Sequence, residues 1–306
     1  MNPKKDYFVS VAVATKGRIE GLDRLLRTLS EDEARAEIPH EILVGNNAPD
    51  EATARAVEET VRKYSERPNS ALRSFREPVP GKCLILNRLL PIAKGDILAY
   101  LDDDVEVAPG WLRTTRDFFV HHPYEVMQGR ILFPPAIKDD PEFLKAWNRY
   151  RTIMYVNFGD EVKQIRDLTG ANMAVRREVF DKVGLFDERI GPGQSGTSMD
   201  VEFGQRVMRM GLRIGYEPAS IVYHDIDWSR FTEEYFRSRH EQQGRSRLIY
   251  KNSSMAAIVA DLTRSLLSLG WYSLFYNERK RYRSLGRSYH YRAMLKEKMG
   301  RLCESA

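Results

Sequence analysis

The order of short apolar runs and longer amphipathic stretches constrains the fold of this chain more than any other feature. Four runs rich in β-branched and aromatic residues are strand candidates, at residues 7–14, 41–44, 71–76 and 97–101. Three amphipathic stretches between them, at residues 21–29, 50–64 and 81–93, have the apolar spacing of helices. Strands that alternate with helices in this way predict a parallel sheet covered by helices, a Rossmann-like half.

A run of three carboxylates, Asp102-Asp103-Asp104, follows the last of these strand candidates. Like charges this close are unfavourable without a cation, and carboxylate oxygens are hard ligands that suit Mg²⁺ or Mn²⁺. Such metals typically take substrate phosphate oxygens in their remaining positions, which predicts a nucleotide-diphosphate site. The alternative is an acidic turn that caps the next helix.

Two other polar segments also follow strand candidates. Thr15-Lys16-Gly17-Arg18 comes after the first strand candidate, and Gly45-Asn46-Asn47 comes after the second. Ligands of open α/β sheets bind beyond the carboxyl ends of the strands. We therefore expect these two segments and the three aspartates to converge on one crevice.

The alternation of strands and helices weakens beyond Val107. Helices are predicted at residues 111–119, 177–183 and 200–210, and strands are predicted at residues 126–133, 168–175 and 215–223. A proline-containing loop covers residues 134–141, and a glycine-dense loop covers residues 191–198. The second loop is either a mobile lid over a cleft or a plain surface loop.

Asp200 and Glu202 open the helix predicted after the glycine-dense loop. The helix dipole alone favours acidic residues at that end, which is one explanation for both carboxylates. The other explanation is that Asp200 is a general base for an acceptor hydroxyl, a role that needs an ionised carboxylate within hydrogen-bond reach. His224, after the last strand candidate, is either a polar loop residue or a group that completes the shell of a carboxylate-bound metal.

Composition places the chain among ordinary globular proteins. Its 306 residues are 42% hydrophobic, enough for one large core or two modest ones, which excludes a disordered chain. Cys83 and Cys303 are the two cysteines and are far apart, so neither a disulfide framework nor a zinc site is indicated. The N-terminal residues lack the apolar segment of a signal peptide. These features predict a cytoplasmic protein.

The basic character belongs to the C-terminal tail. Residues 277–301 carry nine Lys and Arg against Glu278 and Glu297, a local charge of +7, whereas the whole chain is only +5. The preceding residues 265–277 are uncharged and aromatic, but are shorter than the roughly 20 apolar residues that span a bilayer. The tail is either a packed helix pair or a contact with an anionic membrane surface at the inner face, and it is long enough to form a homodimer.

Taken together and in this order, the motifs of the chain resemble those of the family 2 glycosyltransferases of the GT-A fold. The resemblance covers residues 8–224. It rests on Val11-Ala12-Val13-Ala14-Thr15-Lys16-Gly17-Arg18, Val44-Gly45-Asn46-Asn47-Ala48-Pro49-Asp50, Leu101-Asp102-Asp103-Asp104 with Pro109-Gly110-Trp111-Leu112, Leu168-Thr169-Gly170-Ala171-Asn172-Met173-Ala174-Val175, Val183-Gly184-Leu185-Phe186-Asp187-Glu188, Met199-Asp200-Val201-Glu202-Phe203 and Tyr223-His224.

The resemblance implies an α/β GT-A fold and transfer of a sugar, with inversion, from a nucleotide-diphospho-sugar to a hydroxyl acceptor. A UDP-sugar is the favoured donor, Mn²⁺ or Mg²⁺ is the cofactor, and the expected acceptor is a growing or lipid-linked saccharide. The glycosyltransferase domain is expected over residues 1–228, with a nucleotide-binding part at about 7–107 and an acceptor part at about 108–228. A basic helical extension is expected over residues 229–306.

The resemblance also implies roles for individual residues. Asp200 matches the catalytic base, and Asp104 matches the metal ligand. His224 matches a position that touches metal or phosphate in related enzymes, and it is the second expected metal ligand. Nucleotide-sugar binding is expected at Thr15, Arg18, Asn46, Asn47, Lys82, Asn87, Asp102 and Asp103. Acceptor contacts are expected at Trp147, Asn172 and Glu202. From the residues alone, Trp147, Tyr150 and Tyr155 are either a stacking platform for a sugar ring or aromatics of the core.

Two positions depart from the family pattern. Gly45 stands where family members commonly carry an Asp that reads the nucleobase, and Asn46 and Asn47 follow it. An amide both donates and accepts hydrogen bonds, so a base other than uracil stays open. Met199 stands where many relatives have a Glu before the catalytic Asp.

Two other classes of protein explain some of the same features. A nucleotidyltransferase also joins a parallel sheet to carboxylate-held Mg²⁺, but it normally has a phosphate loop richer in glycine than residues 14–18. A non-catalytic sugar-nucleotide binding protein is the other alternative. Basic and aromatic residues alternate loosely over residues 279–292, but a nucleic-acid binder would not explain Asp104 or Asp200, so no nucleic-acid partner is expected.

Overall fold

The protein is described by a computed structural model that covers residues 6–68 and 70–304, with side chains up to Gly300. The expectation that the N-terminus lacks a signal segment falls on residues 1–5, outside the described residues. The strands are β1 (Val9–Thr15), β2 (His40–Asn46), β3 (Leu72–Arg76), β4 (Ile97–Asp102), β5 (Val105–Val107), β6 (Val126–Leu132), β7 (Lys163–Ile165), β8 (Asn172–Arg176) and β9 (Ile214–His224).

Helices connect these strands and then take over the C-terminal part of the chain. They are α1 (Ile19–Ala36), α2 (Glu51–Ser65), α3 (Lys82–Leu89), α4 (Trp111–His121), α5 (Pro141–Tyr150), α6 (Glu178–Val183), α7 (Met199–Arg209), α8 (Glu233–Tyr250), α9 (Met255–Leu274) and α10 (Glu278–Glu304), with a 3₁₀ turn at Trp228–Arg230. The four predicted strands and three predicted helices of the first hundred residues are all present.

The strands form one mixed sheet. In the described part of the chain the order is β3-β2-β1-β4-β8-β6-β9-β5, and β7 pairs with β9. The first four strands in this order are parallel, as is the β6–β9 pair. β8 is antiparallel to both of its neighbours. The predicted parallel half is therefore correct, and it continues into a mixed second half.

Alternation along the strands explains where the core lies. Val9, Val11 and Val13 alternate on β1, and they share one buried apolar cluster with Leu22 and Leu26 of α1. Burial of a side chain of this size stabilises the fold by about 1.5–3 kcal/mol. The helix and strand periods read from the sequence therefore meet in a single core.

One strand begins later than the sequence pattern predicts. A strand is expected over residues 168–175, but β8 begins at Asn172. The Thr169 N–H donates to Gln128 Oε1 at 2.6 Å, and the Gly170 N–H donates to Asp200 Oδ2 at 2.9 Å. These amides bond to side chains instead of a neighbouring strand, so residues 168–171 form a loop. The short strands β5 and β7 are too brief to show a periodic signal.

The chain divides into two compact units. The first runs to Pro134 and adds Met154–Glu188 and Met199–Asp225, and so contains the sheet. The second comprises Pro135–Ile153, Arg189–Ser198 and the chain from Ile226 onward. The domain boundary at residue 228, with its nucleotide and acceptor parts, stays a prediction.

The second unit is built mainly from α8, α9 and α10. Tyr150, Phe236 and Tyr282 form one buried cluster, and Gly244 lets α8 approach α10, since a Cβ there would lie 2.3 Å from the His290 carbonyl oxygen. The glycine-dense loop is bonded to α8, because Ser195 Oγ lies 2.7 Å from Ser246 Oγ. Whether this loop moves as a lid stays a prediction.

Across residues 6–68 and 70–304, no helix has both the length and the apolar content required to cross a bilayer.

A buried histidine should make the second unit sensitive to acid. Burial, together with Arg247, His240 and Arg287, lowers the pKa of His290 to about 4, although Asp261 opposes this shift. The unfolded chain binds a proton near pH 6.5 and the folded chain does not, so stability should fall as pH drops from about 6.5 to 4. Thermal unfolding followed by circular dichroism should show a His290→Leu variant with a flatter pH dependence, by on the order of 1–3 kcal/mol. His121→Leu, at an exposed position, is the control, and equal slopes for both variants would contradict the assignment.

Candidate functional site

The candidate site lies where the parallel strands of the first unit end. Thr15 of β1 pairs in register with Asn46 of β2, and Asp102 of β4 pairs with Ala14 of β1. Asn172, the first residue of the antiparallel strand β8, lies opposite Leu101. Because parallel strands end at the same edge, the polar segments after β1, β2 and β4 are brought together as predicted.

Two of the three aspartates are buried and held by residues from the end of β1. The Thr15 hydroxyl donates to Asp103 Oδ2 at 2.7 Å. Arg18 Nη1 donates to Asp103 Oδ1 at 3.1 Å and to Asp104 Oδ2 at 2.6 Å. Burial raises the pKa of Asp103 to about 6, with a further rise from Asp104 that Arg18 opposes. The Arg18 side chain remains 55% exposed, so it can also reach a ligand in solvent.

Lys82, at the first position of α3, pairs with Asp102, the last residue of β4. Burial disfavours the charged lysine, but the carboxylates of Asp102, Asp200 and Asp103 outweigh it and raise the pKa of Lys82. The lysine is therefore a permanent cation at the edge of the sheet. It supplies a positive charge beside the position where an anionic ligand of this crevice would bind.

His224 reaches the aspartates from the end of β9. Its Nε2 lies 3.7 Å from Asp104 Oδ1, and the Asp225 N–H donates to the Asp104 carbonyl at 2.8 Å. His224 Nδ1 lies 2.8 Å from the Asp225 carbonyl oxygen, and because a carbonyl only accepts, Nδ1 carries the proton. In the neutral imidazole the Nε2 lone pair then points toward Asp104, the arrangement found in metal-ligating histidines.

The donor set fits a divalent cation that shares its shell with a substrate. Two ligands that each bond a metal at about 2.1 Å lie within reach of one ion when their atoms are 3–4 Å apart, as Asp104 Oδ1 and His224 Nε2 are. Across the described residues, no group of three or more His, Cys, Asp or Glu side chains surrounds a single point. A partial shell is what a metal bound mainly through substrate phosphates requires, since Mg²⁺ commonly has only one or two protein carboxylates.

Asp200 lies at the start of α7 and is tied to the loop before β8. Its Oδ2 accepts the Gly170 N–H at 2.9 Å, and its Oδ1 accepts the Val201 N–H at 2.8 Å. A Cβ built on Gly170 would lie 3.8 Å from Asp200 Oδ2 and 4.0 Å from Lys82 Nζ. Asp200, the predicted base, thus lies near Lys82, the cation that pairs with Asp102. The carboxylates of Asp200 and Asp102 are therefore in the same region of the first unit.

Gln128 is a positioning residue that the sequence pattern did not identify. It is buried on β6, accepts the Thr169 N–H at 2.6 Å and donates to the Asn172 carbonyl at 3.1 Å. These bonds shape the loop whose Gly170 N–H holds Asp200. A glutamine between the apolar residues that begin and end Val126–Leu132 is the signal that could have found it, since buried amides need partners.

A comparison with known protein families decides the class of the chain. The family described as Glycosyltransferase like family 2 matches residues 6–247, most of the chain. The chain belongs to this glycosyltransferase family. The resemblance seen in the sequence motifs is therefore confirmed.

Three curated relatives align with parts of the chain. A glucosyl-dolichyl phosphate glucuronosyltransferase of Haloferax volcanii is 28% identical over 33% of this chain. A beta-monoglucosyldiacylglycerol synthase of Trichormus variabilis is 25% identical over 59% of it. The O-antigen biosynthesis protein RfbC of Myxococcus xanthus is 28% identical over 72% of it. The alignments span 32%, 38% and 18% of these relatives' own lengths.

Solved structures confirm the GT-A fold. The mannosyltransferase PcManGT from Pyrobaculum calidifontis, solved with GDP-Man and Mn²⁺, has a TM-score of 0.60 and 17% identity over 96% of this chain and 88% of its own. GalNAc-T7, solved with UDP, GalNAc and Mn²⁺, has a TM-score of 0.55 and 17% identity over 79% of this chain and 52% of its own. At these identities the likeness establishes the fold.

Three predicted nucleotide-binding asparagines have their amides engaged with neighbouring segments of the protein. Asn46 Nδ2 donates to the Ala54 carbonyl at 2.9 Å. Asn47 Nδ2 donates to the carbonyls of Glu77 and Val79, both at 2.7 Å, and its Oδ1 accepts the Gly81 N–H at 2.9 Å. These bonds brace the loops that follow β2 and β3. Contact of either side chain with a nucleobase stays a prediction.

The third asparagine, Asn87, and the predicted acceptor residue Asn172 are also bonded internally. Asn87 donates to the Phe186 carbonyl at 2.9 Å and accepts the Phe186 N–H at 3.1 Å. The fully buried Asn172 accepts from the Trp111 indole at 3.0 Å and donates to the Arg130 and Ser220 carbonyls. Contact of Asn172 with an acceptor would therefore require internal hydrogen bonds to break.

Glu202 and Met199 lie on the buried side of α7. Glu202 makes two bonds with Arg206, at 2.6 and 2.8 Å, and Arg206 also donates to the Val183 and Leu185 carbonyls. Met199, which replaces the common Glu, is buried as well. Glu202 thus helps fix α7, and its contact with an acceptor stays a prediction.

Gly45 is explained by the packing of α3 on the end of β2. A Cβ at Gly45 would lie 2.3 Å from Ile85 Cγ1 and 3.4 Å from Leu89 Cδ1. Both side chains are buried, so they cannot move aside at low cost. The position where family members commonly carry a base-reading Asp therefore has no room for a side chain here.

Restoring the common residue at this position should damage the protein. A Gly45→Asp variant would overpack the interface of β2 with α3 and bury an unpaired charge, which should lower the free energy of unfolding by about 3 kcal/mol or more. Urea unfolding followed by circular dichroism measures this. Gly270→Asp is the control, since no described heavy atom lies within 4 Å of a Cβ built there, and we expect a change within about 0.5 kcal/mol. Equal stability of the two variants would contradict the packing argument.

Trp147 belongs to the second unit. Its indole N–H donates to the Ile153 carbonyl at 3.2 Å, and the Arg151 guanidinium lies 3.5 Å from the ring centroid. One face of the ring is therefore covered by a cation. Its role as a platform for a sugar stays a prediction.

Proposed function

We propose that this protein is an inverting, metal-dependent glycosyltransferase that moves a sugar from a nucleotide-diphospho-sugar, with a UDP-sugar favoured, to a hydroxyl acceptor. One observation carries the proposal. Within the first unit, the Asp104–His224 pair, spaced as two ligands of one metal, and the separate carboxylate of Asp200 are brought to the same edge of the sheet. Lys82 is paired with Asp102 there and lies near Asp200. That arrangement has a place for a leaving diphosphate and a place for a base.

The nucleotide-diphospho-sugar would be bound by cationic side chains that are paired with aspartates in the structure. Arg18 and Lys82 are the cations paired with Asp102, Asp103 and Asp104. A diphosphate offers these two cations alternative oxygens, and charge-assisted bonds to phosphate are among the strongest in proteins. Thr15 and Asp103, bonded to each other at 2.7 Å, would lie beside the nucleoside, and Asp102 would face the ribose or the sugar.

Asp104 and His224 are the residues that would hold Mn²⁺ or Mg²⁺. A bound divalent cation supplies Lewis-acid stabilisation of the negative charge that grows on the departing diphosphate. The residues of the chain contribute the positions: the Asp225 N–H fixes the backbone of Asp104, and the Asp225 carbonyl fixes the tautomer of His224. PcManGT and GalNAc-T7 were both solved with Mn²⁺, which supports the choice of metal.

Asp200 would be the general base. Each of its oxygens accepts one backbone N–H, from Gly170 or Val201, and each retains lone-pair capacity for a further hydrogen bond. The carboxylate would accept the proton of the acceptor hydroxyl as that oxygen attacks the anomeric carbon from the side opposite the diphosphate. A single displacement of this kind inverts the configuration at that carbon.

The acceptor is proposed to be a saccharide or a lipid-linked saccharide at the cytoplasmic face of a membrane. The names of two relatives include a lipid, dolichyl phosphate in one and diacylglycerol in the other. Within the first unit, Glu202 remains a proposed acceptor contact, although it is already paired with Arg206.

Two measurements test the proposal. Isothermal titration with UDP, GDP, dTDP and CDP, each with and without Mn²⁺, should show metal-enhanced binding of one nucleotide. Transfer from the matching nucleotide-sugar to a saccharide acceptor, followed by NMR, should then show inversion at the anomeric carbon. Retention of configuration would contradict the role of Asp200, and metal-independent binding would contradict the role of Asp104 and His224.

A further inference from the structure

The second unit exposes a cluster of large apolar side chains where α9 turns into α10. We call it the α9–α10 tip, and it consists of Leu266, Leu267, Trp271, Leu274, Phe275 and Tyr276. Leu267 is 71% exposed and Leu274 is 75% exposed. Single exposed apolar residues are ordinary, but a cluster of six in eleven consecutive positions marks an interaction surface.

The backbone at the tip is held in an unusual conformation that displays an aromatic ring. Tyr276 has a φ of 51°, the left-handed region that is costly for a bulky residue and usually taken by glycine after a helix. Its side chain is 95% exposed. The rings of Trp271 and Phe275 are in contact, with centroids 4.5 Å apart and planes tilted by 45°. Folding alone gains little from a strained and exposed tyrosine, so a partner for this ring is indicated.

Positive charge adjoins the apolar tip. Arg279, Lys280, Arg281 and Arg283, in the first two turns of α10, are all exposed. Glu278, the acidic residue of that first turn, is paired with Arg149 at 2.5 Å. Residues 265–277 carry no charge of either sign. The surface is therefore apolar at the turn and cationic immediately beside it.

We propose that the α9–α10 tip docks on the surface of an anionic lipid bilayer. Apolar side chains would enter the boundary between headgroups and acyl chains, Trp271 and Tyr276 would lie at the headgroup level, and the adjacent cations would meet anionic headgroups. A second copy of the chain fits less well, because pairing tip with tip would place the two sets of cations beside each other. The surface belongs to the second unit alone, so the proposal is independent of the transfer reaction.

Vesicle flotation of the full chain tests this surface. The wild type should float with vesicles of equimolar phosphatidylcholine and phosphatidylserine, and much less with phosphatidylcholine alone. A Leu267→Glu, Leu274→Glu variant should bind about tenfold more weakly or worse. Changing Arg279, Lys280, Arg281 and Arg283 to Gln should weaken binding by about fivefold for each charge. The control is a double variant with Leu185→Glu and Met210→Glu, the same change at two exposed apolar positions of the first unit. It should bind the vesicles like the wild type.

Three results would overturn the proposal: no flotation of the wild type, equal flotation with and without phosphatidylserine, or unchanged flotation of the Glu variant. Sedimentation equilibrium tests whether a second copy of the chain covers the tip instead. A wild-type protein that forms a dimer and does not bind vesicles, together with a Glu variant that is monomeric, would assign the tip to that second copy. Asp200→Asn should float like the wild type, so failure of the docking proposal and failure of the catalytic proposal are distinguishable.

Discussion

Replacing Asp200 with Asn should reduce the rate of sugar transfer by about 10²- to 10⁴-fold while leaving the affinity for the nucleotide unchanged. Asp200 accepts the Gly170 and Val201 N–H groups on different oxygens, and Asn of the same size has one acceptor oxygen, so it keeps one of these two bonds. The bond from the Thr169 N–H to Gln128 still holds the loop. The amide cannot take the proton of the acceptor hydroxyl, and the loss therefore falls on turnover. Initial rates with the nucleotide-sugar found by titration, and titration with its nucleoside diphosphate, measure the two quantities.

Asp160→Asn is the matched control for this prediction. Its carboxylate is 92% exposed and paired with Arg130 in the same unit, so the same chemical change should leave both rate and affinity within twofold or so of the parent. If Asp200→Asn weakened nucleotide binding as strongly as it lowered turnover, Asp200 would be holding the donor instead of acting as the base. A variant that kept full turnover would remove Asp200 from the reaction.

Replacing Asp104 with Ala should separate the metal from the nucleotide. In the presence of Mn²⁺ we expect the affinity for the nucleoside diphosphate to fall by about tenfold to a hundredfold or more, because one of two protein ligands is gone. Without metal, the same variant should bind the nucleotide as well as the parent or better. The reason is that Arg18, whose Nη1 donates to Asp104 Oδ2 at 2.6 Å and to Asp103 Oδ1 at 3.1 Å, would then have one carboxylate partner fewer and could bond the diphosphate in its place.

This opposite response with and without metal is the diagnostic result. Binding of Mn²⁺ itself, followed by electron paramagnetic resonance in the presence of the nucleoside diphosphate, provides a measurement that does not depend on turnover. Asp160→Ala is the control for loss of a carboxylate. Unchanged Mn²⁺ binding in Asp104→Ala would assign the metal to other ligands, and equal losses with and without Mn²⁺ would make Asp104 a structural residue.

The positions of the site residues were more predictable than their partners. Thr15 and Asp102 end strands that the hydrophobic pattern predicts, so their convergence followed from the topology of a parallel sheet. Asp200 lies in a predicted helix, but its approach to this edge depends on its bond to the Gly170 N–H. The amides of Asn46 and Asn47 could equally have faced a ligand or the protein. Their bonds to carbonyls of residues 54, 77 and 79 depend on how two loops fold back, which no local pattern encodes.

The same distinction explains the two surprises of the site. Gly45 looked like a missing recognition residue, and the structure shows that Ile85 fills the space where a side chain would project. Gln128 looked like an ordinary strand residue, and the structure shows that it shapes the loop that holds Asp200. In both positions the deciding contact joins residues about 40 positions apart in the chain.

By itself, the sequence determined the order of strands and helices, the edge of the sheet where the polar groups gather, and the family. Those properties follow from periods of two and 3.6 residues and from short motifs, which are local. Only the tertiary structure decided which cation neutralises which carboxylate, that His224 faces Asp104, and that the end of α9 exposes its apolar residues. Each of those outcomes depends on what packs beside a side chain, and burial and pairing are properties of the folded chain as a whole.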